Sequence, residues 1–203
     1  MFGNLNYEQA DQIISGTNER WNEVWWFYPT GNSTVPNAYV IYNYAEQIWY
    51  YGTLTRTAWL DSPLKAYPLA INGSYLYQHE YGLDDDALPM VSYIVTSDFD
   101  LVDGDEFLLV RRLIPDISFD GSTATNPKVI MTLKPRNFPG SNYMSTNEPD
   151  VELSSSIPVE QYTEQVFIRA RARQMGFKVY SDELGVAWQM GLPRLDGRKD
   201  GRR

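Results

Sequence analysis

Chemistry in this chain would depend on one histidine, two acidic clusters and one arginine-rich segment. His79-Glu80 is the start of a helical zinc-protease motif, but that motif needs a second histidine four residues on, where Leu83 stands. With no Cys and one His, thiolate catalysis, disulfides and Cys- or His-rich metal sites are excluded. We predict no catalytic residue, no metal and no cofactor, and a structural His79 bonded to a neighbouring loop.

The acidic clusters are residues 84–86 and 98–106. A calcium loop of the EF-hand type needs an oxygen ligand at its fifth position and glycine at its sixth. Counted from Asp98, those positions are Val102 and Asp103, so the pattern fails. Solvated turn carboxylates are the preferred interpretation, and an irregular Ca²⁺ site stays open. A carboxylate pair of a glycosidase cannot be chosen among 26 acidic residues without geometry.

The most regular pattern is FIRARAR, residues 167–173. Period two favours a strand, because on a helix the arginines would spread over too wide an arc. Phe167 and the arginines then share one face, and Ile168 shares the other with two alanines. Planar guanidinium groups hold carboxylates bidentately, so a neighbouring subunit or residues 84–106 could supply partners. The candidate subunit-interface residues are Arg169, Arg171 and Arg173. A merely solvated basic face and a phosphate site remain alternatives.

Short alternating segments between polar turns predict an all-β fold of antiparallel sheets. Asn72-Gly73 is the strongest hairpin signal. A short helix is predicted near Asn6, with Tyr7 to Ile14 following. The turn spacing suits a propeller blade or a sandwich. Strands are predicted over residues 23–28, 38–43, 47–52, 67–71, 75–79, 91–96, 107–114, 129–133, 163–173, 177–180 and 186–190.

The strand EVWWFY, residues 23–28, is apolar on both faces. Val24, Trp26 and Tyr28 share one face, whereas the other carries Trp25 and Phe27. We therefore predict a central strand covered on both sides. An aromatic platform for sugar or bases is the alternative, although alternating faces do not form a single platform.

Charge divides the chain unevenly. Residues 1–156 carry a net charge of −12 and residues 157–203 a net charge of +3. The loop 140–157, rich in Ser, Asn and Pro, is predicted to be a boundary or long connection. An overall charge of −9 argues against a general nucleic-acid coat. Without a signal peptide or a long apolar run, we expect a soluble protein made in a cytoplasm, with no membrane anchor.

Several runs together resemble the tail nozzle proteins of short-tailed bacteriophages, the family of tail tubular protein B and the packaged-DNA stabilisation proteins. They cover nearly the whole chain in order. The runs are NEVWWFYPTGN, YVIYNYAEQIWYYGTLTRTAW, YQHEYGLDDD, SDFDLVDGDEFLLVRRLIPDISFDGS, TLKPRNFPG and VEQYTEQVFIRARARQMGFKVYSDELGVAWQMGLPRLDGRKDGRR.

The resemblance implies a structural virion protein, not an enzyme. Such proteins form a ring, typically of six copies, below the portal and adaptor, and their channel retains the packaged DNA until ejection. Family members are longer, so the resemblance implies that this chain is a C-terminal fragment, one product of a split gene or a reduced relative. The expected domains are a late propeller-blade-like region, residues 1–120, and a C-terminal β-sheet or sandwich region, residues 121–203. The expected location is the virion tail, with DNA passing only transiently.

Two functions of other classes remain open. Exposed Trp and Tyr side chains would suit a carbohydrate-binding β-module. An acidic pair would suit a hydrolase.

Overall fold

The computed structural model describes residues 2–100, 104–141, 143 and 154–201. The fold is 50% strand and 6% helix, and its strand pairs are antiparallel, so the predicted all-β antiparallel class is confirmed. None of the described sheets closes on itself. The chain divides into two compact units, Met1–Tyr81 and Gly82–Arg203. The predicted boundary between residues 120 and 121 falls inside the second unit.

The first unit contains a four-stranded sheet, a three-stranded sheet and short 3-10 helices. The helices are Phe2–Asn4, Tyr7–Gln12 and Glu19–Trp21. The larger sheet has the order β1-β2-β3-β4, and its strands are Ile14–Asn18, Glu23–Tyr28, Ala38–Asn43 and Ile48–Thr53. The smaller sheet has the order β5-β6-β7, and its strands are Ala58–Leu60, Leu69–Asn72 and Tyr75–Gln78.

Strand β2 is central in its sheet and covered on both faces, as predicted. On one face Trp25 and Phe27 pack with Ile41, and Trp59 lies against this cluster. On the other face Tyr28 forms a separate cluster with neighbouring residues of β3. The run of aromatic residues is therefore a packing feature and not a single exposed platform.

Two aromatic rings of the first unit pack directly against glycine residues of its larger sheet; we call each such contact a ring-to-glycine fit. The Trp59 ring lies so close to Gly16 of β1 that a Cβ there would overlap it. The Trp59 indole also donates to the Thr17 carbonyl oxygen at 2.8 Å. At the sheet edge, the Tyr39 ring covers Gly52 of β4 in the same way. Glycine is required at both positions because the ring occupies the space of a side chain.

The second unit contains twelve described strands. Its large sheet has the order β10-β17-β14-β15, with β11 also paired to β17, and a second sheet has the order β16-β12-β19. Two short pairs, β8-β9 and β13-β18, complete it. The strands are β8 Asp84–Asp85, β9 Leu88–Pro89, β10 Ser92–Val95, β11 Phe99–Asp100, β12 Leu108–Ile114, β13 Ile117–Ser118, β14 Lys128–Arg136, β15 Ser155–Glu160, β16 Val166–Ala172, β17 Gln174–Ser181, β18 Gln189–Met190 and β19 Arg194–Lys199.

The two larger sheets of this unit share one hydrophobic cluster. Its members come from β12 and β16 on one side and from β14, β15 and β17 on the other, together with Phe119, which follows β13. Val110 and Leu133 are examples from the two sheets, and both are almost fully buried. The chain passes from one sheet to the other between β16 and β17, which only Arg173 separates.

Two sequence predictions need correction here, and the short N-terminal helix is confirmed with an earlier end than predicted. Residues 155–157 of the predicted loop 140–157 begin strand β15, whereas residues 142 and 144–153 lie outside the described residues. Strand β19 was not predicted, and β18 covers only two residues of the predicted 186–190. The predicted N-terminal helix is a 3-10 helix over Tyr7–Gln12, capped by the Asn6 side chain. No helix in the described parts of the chain is long and apolar enough to cross a membrane.

Candidate functional site: an arginine face

The outward face of the sheet β16-β12-β19 carries six arginines, and we call it the arginine face. In β16 burial alternates at every residue, so the predicted period of two is confirmed. Phe167, Arg169 and Arg171 are exposed, whereas Ile168 and its alternating neighbours enter the core. The arginines of this face are Arg111, Arg112, Arg169, Arg171, Arg194 and Arg198.

A β-bulge in β12 places two successive arginines on this face. The register with both neighbouring strands shifts between Val110 and Arg112. Val110 and Leu113 point into the core, so Arg111 and Arg112 lie together on the outer side. A bulge commonly redirects a side chain in this manner. Ordinary alternation would have buried one of the two guanidinium groups.

Strand β19 and the residue that follows it, Asp200, supply carboxylates to the arginine face. Arg112 Nη2 lies 3.1 Å from Asp196 Oδ2. Arg171 Nε donates to Asp200 Oδ2 at 2.5 Å, and its Nη2 donates to the Asp200 carbonyl oxygen at 3.1 Å. The hydrogen bond from Arg171 lowers the pKa of the Asp200 carboxyl, and the charges of Arg171, Arg198 and Arg111 act in the same direction. Asp200 therefore stays ionised among several cations.

Arg171 and Arg173 meet at one aromatic ring. The Arg171 guanidinium carbon lies 3.9 Å from the Phe107 ring centre, and that of Arg173 lies 4.9 Å away. Arg173 Nη1 also donates to the Asp105 carbonyl oxygen at 3.0 Å. These contacts fix both guanidinium groups by cation–π and hydrogen-bond interactions within the chain.

An open groove of about 380 Å³ lies on the arginine face. Its lining consists of Leu109, Arg111, Phe167, Ile168 and Arg169. The Phe167 side chain is well exposed, at 75%, although it is large and apolar. Within the described residues, neither Arg111 nor Arg169 makes a hydrogen bond or an ion pair. The groove thus offers two available guanidinium groups beside apolar surface.

The sequence located part of this site. Arg169 and Arg171 lie on one exposed face as predicted, but Arg173 is not in the strand: it occupies the bend where the chain changes sheets. The carboxylate partner of Arg171 is Asp200, which lies outside the predicted residues 84–106. Sequence reasoning also missed Arg111 and its neighbours. The period-two pattern of Arg194, Asp196 and Arg198 was an available signal for β19.

The structure also places the other candidate residues, beginning with the single histidine. His79 Nε2 accepts a hydrogen bond from Arg56 Nε at 2.8 Å, and the imidazole ring packs against Trp59. Burial lowers the pKa of His79 to about 4, and the Arg56 charge adds to this. Among the described residues, no group of three His, Cys, Asp or Glu side chains could hold a metal ion. Asp103 of the second acidic cluster lies outside them.

No protein-family model matches the chain, and no curated protein matches it either. A functional interpretation must therefore be built on the residues and surfaces described above.

Proposed function

We propose that this chain is a structural subunit of a bacteriophage tail, part of the nozzle whose channel retains the packaged genome and releases it at ejection. Its work is assembly and not catalysis. The resemblance of its sequence runs to tail nozzle proteins motivates the proposal. The observation that carries it is the exposed apolar surface on edge strands in both units.

Strand β4 of the first unit is an edge strand with apolar side chains on both faces. It pairs with β3 alone among the described residues. Trp49 and Tyr51 extend from one face with exposures of 62% and 85%, and Ile48 and Tyr50 are exposed on the other. Such an edge offers unpaired backbone groups and invites pairing with another chain. In a monomer it would be a liability, whereas in a ring it would be an interface.

Strand β10 repeats this arrangement in the second unit. It lies at the edge of the large sheet, where β17 is its partner. Tyr93, Ile94 and Val95 are all exposed. Aromatic and aliphatic side chains of this kind form the buried centres of protein interfaces. Exposed edges in both units support contacts with more than one neighbour.

We also propose how the sheets are arranged: a blade of a propeller-like region in the first unit and a sandwich-like region in the second. The sheet β1-β2-β3-β4 corresponds in size to one blade of a propeller-like region, because propeller blades are four-stranded antiparallel sheets. In the second unit, the two sheets that share a core form a sandwich-like region. Neighbouring copies, the portal and the adaptor are the expected partners, and duplex DNA passes through the channel without lasting contact.

Self-association of the purified chain is the first test. We expect sedimentation velocity to show oligomers that grow with protein concentration, and Tyr51→Lys to shift them towards monomer. Leu64→Lys is the matched control, since Leu64 is 90% exposed but lies outside any strand. A chain that stays monomeric at every concentration, alone and with the adaptor, contradicts the assembly role.

Immunogold electron microscopy tests the location. Antibodies raised against the chain should label the tail end of virions whose genome encodes it. Labelling of the capsid, or no labelling of virions, would reject the tail assignment.

Carbohydrate binding is a second candidate, favoured by one observation. Trp49 stacks on Trp26 with ring centres 6.0 Å apart and is still largely exposed. A stacked, accessible indole is a common sugar-binding surface. A glycan array separates the two functions, because a tail subunit should bind no sugar specifically.

A further inference from the structure

A small acidic hairpin in the second unit complements the groove of the arginine face. Strands β8 and β9 pair as Asp84 with Pro89 and Asp85 with Leu88. The two residues between them, Asp86 and Ala87, both have positive φ, as a two-residue type I′ turn requires. The hairpin is therefore short and well defined in shape.

The hairpin presents charge and apolar surface together. Asp84 Oδ1 accepts a hydrogen bond from the Gly185 backbone N–H at 2.6 Å, which anchors the base of the hairpin. Asp85 and Asp86 are exposed, and neither makes an ion pair or a side-chain hydrogen bond among the described residues. Leu88 is exposed beside them, at 65%.

The groove has the opposite chemistry. Arg111 and Arg169 make no hydrogen bond or ion pair among the described residues, and the apolar side chains of Leu109 and Phe167 lie next to them. Two carboxylates and a leucine thus match two guanidinium groups and an apolar surface. A planar guanidinium group binds a carboxylate through two parallel hydrogen bonds, so the match is geometric as well as electrostatic.

We propose that the acidic hairpin of one copy docks in the arginine groove of the next copy of the same chain. This inference rests on the proposed function, since it names the contact that joins tail subunits. Each copy has one hairpin and one groove, so the contact is head-to-tail and repeats around a ring. It also gives Arg169 the interface role that its position in the sequence suggested.

A second copy suits the groove better than phosphate does. The chain carries a net charge of −9, so its copies repel at long range, and a local basic face fixes which surfaces meet. Two arginines beside an exposed phenylalanine favour an occupant with an apolar side chain, which a phosphate backbone lacks. Binding of DNA by this face is the competing outcome in the experiment.

The experiment uses two blocked variants of the full chain. The groove-blocked variant carries Arg111→Gln and Arg169→Gln. The hairpin-blocked variant carries Asp85→Asn and Asp86→Asn, and asparagine accepts the positive φ at position 86. The control, Lys65→Gln, also removes positive charge but lies in the first unit. Circular dichroism and urea midpoints verify that each variant is folded.

Sedimentation velocity and native mass spectrometry then give the result. Each blocked variant alone should associate at least about 10-fold more weakly than the wild type, since a charge pair close to an interface centre is strongly coupled. A mixture of the two variants should recover dimers that contain one copy of each, because one intact hairpin then meets one intact groove. Lys65→Gln should assemble like the wild type.

The possible negative results distinguish failure of the proposed function from failure of the hairpin contact. If the wild type does not assemble, alone or with the adaptor, the proposed function fails with the inference. If the wild type assembles but both blocked variants assemble equally well, or their mixture gives no dimers, only the hairpin contact is overturned. If the groove-blocked variant assembles normally but binds short duplex DNA more weakly and with a smaller salt slope, the groove takes phosphate and the inference is also overturned.

Discussion

The two units bury their side chains in different ways. In the first unit, two small clusters centre on aromatic residues, and glycines admit the rings of Trp59 and Tyr39. In the second unit, fifteen buried residues, mostly aliphatic, form one cluster between two sheets. The second unit thus buries its apolar side chains in one shared core, whereas many large aromatic side chains of the first unit are exposed.

Charge separates the units as well. Residues 1–81 hold three Lys and Arg side chains and seven Asp and Glu side chains. Residues 82–203 hold fourteen and nineteen respectively, and most of the arginines of this half lie on the arginine face. We therefore expect aromatic contacts to dominate the interfaces of the first unit and charged contacts those of the second.

The largest effect on stability should come from the aliphatic core of the second unit. Leu133 is 1% exposed in β14, and Leu133→Ala leaves a cavity that its packed surroundings fill only in part. We expect a loss of about 2–5 kcal/mol in the free energy of unfolding of this unit. Hydrogen exchange with mass spectrometry measures both units separately.

The first unit should not respond to this change in the second unit. Five of the six Trp residues lie in residues 1–81, so fluorescence in a Trp188→Phe background follows that unit alone. Its urea transition should stay unchanged by Leu133→Ala. A transition that shifts as far as that of the second unit would show one cooperative core instead of two.

A smaller loss is expected when a ring-to-glycine fit is disturbed. Gly16→Ala introduces a Cβ that overlaps the Trp59 ring, so the indole must leave its cluster. Overpacking of this kind costs about 1–3 kcal/mol, measured as the shift of the fluorescence transition. Gly3→Ala is the control, since its Cβ would meet nothing within 4 Å. Equal stability of the two variants would refute the importance of this fit.

His79 should make the first unit sensitive to acid. Burial, with the Arg56 charge, lowers its folded pKa to about 4, whereas an unperturbed histidine has a pKa of about 6.5. Between these values the unfolded chain binds more protons, so stability is lost as the pH falls from about 6.5 to about 4. Since the ring is partly exposed and solvent screens its charge, we expect the free energy of unfolding to fall by about 1–2 kcal/mol over this pH range. Urea midpoints across this pH range measure it.

His79→Gln is the matched control, because its amide oxygen can still accept from Arg56 and it does not titrate. Burial raises the pKa of Glu80, whose contribution has the opposite sign: it is present at low pH and is lost as the pH rises. The difference between wild type and His79→Gln therefore isolates the histidine. Parallel pH profiles of the two proteins would contradict the assigned role.

The smallest effect on stability is expected at Arg171. Its pair with Asp200 lies at the surface, where solvent screens ion pairs, so Arg171→Ala should leave the urea midpoint of the second unit nearly unchanged. The same change should weaken assembly, and Arg171→Glu should weaken it more by placing like charges together. Sedimentation of the three proteins checks both statements. A large loss of fold stability in Arg171→Ala would make this residue part of the core architecture.

The sequence predicted strands well where alternation was strong. Strands β2 and β3 have the predicted bounds, because their apolar residues alternate between two buried faces. Strand β15 was missed since it contains Ser and Pro158, which edge strands tolerate. Strand β19 was missed because it is mostly charged, and Leu195 is its main contact with the core.

The arginine face could be predicted only in part, because alternation along one strand does not report pairing with distant strands. Alternation identified Arg169 and Arg171, but it cannot show where a chain changes sheets, which is what removes Arg173 from the strand. The bulge at Arg111 and the approach of Asp200 depend on pairing between strands distant in sequence. Such contacts are tertiary and leave no local periodic signal.

Hydrogen exchange of the assembled chain measures whether the exposed edges of β4 and β10 become subunit interfaces. Amides of β4 and β10 that point away from β3 and β17 should exchange rapidly in the dissociated chain, because nothing in the described structure pairs with them. In the assembled oligomer the same amides should be protected, while the Leu64 loop exchanges rapidly in both states. Rapid exchange of both edges in a fully assembled oligomer would contradict the account.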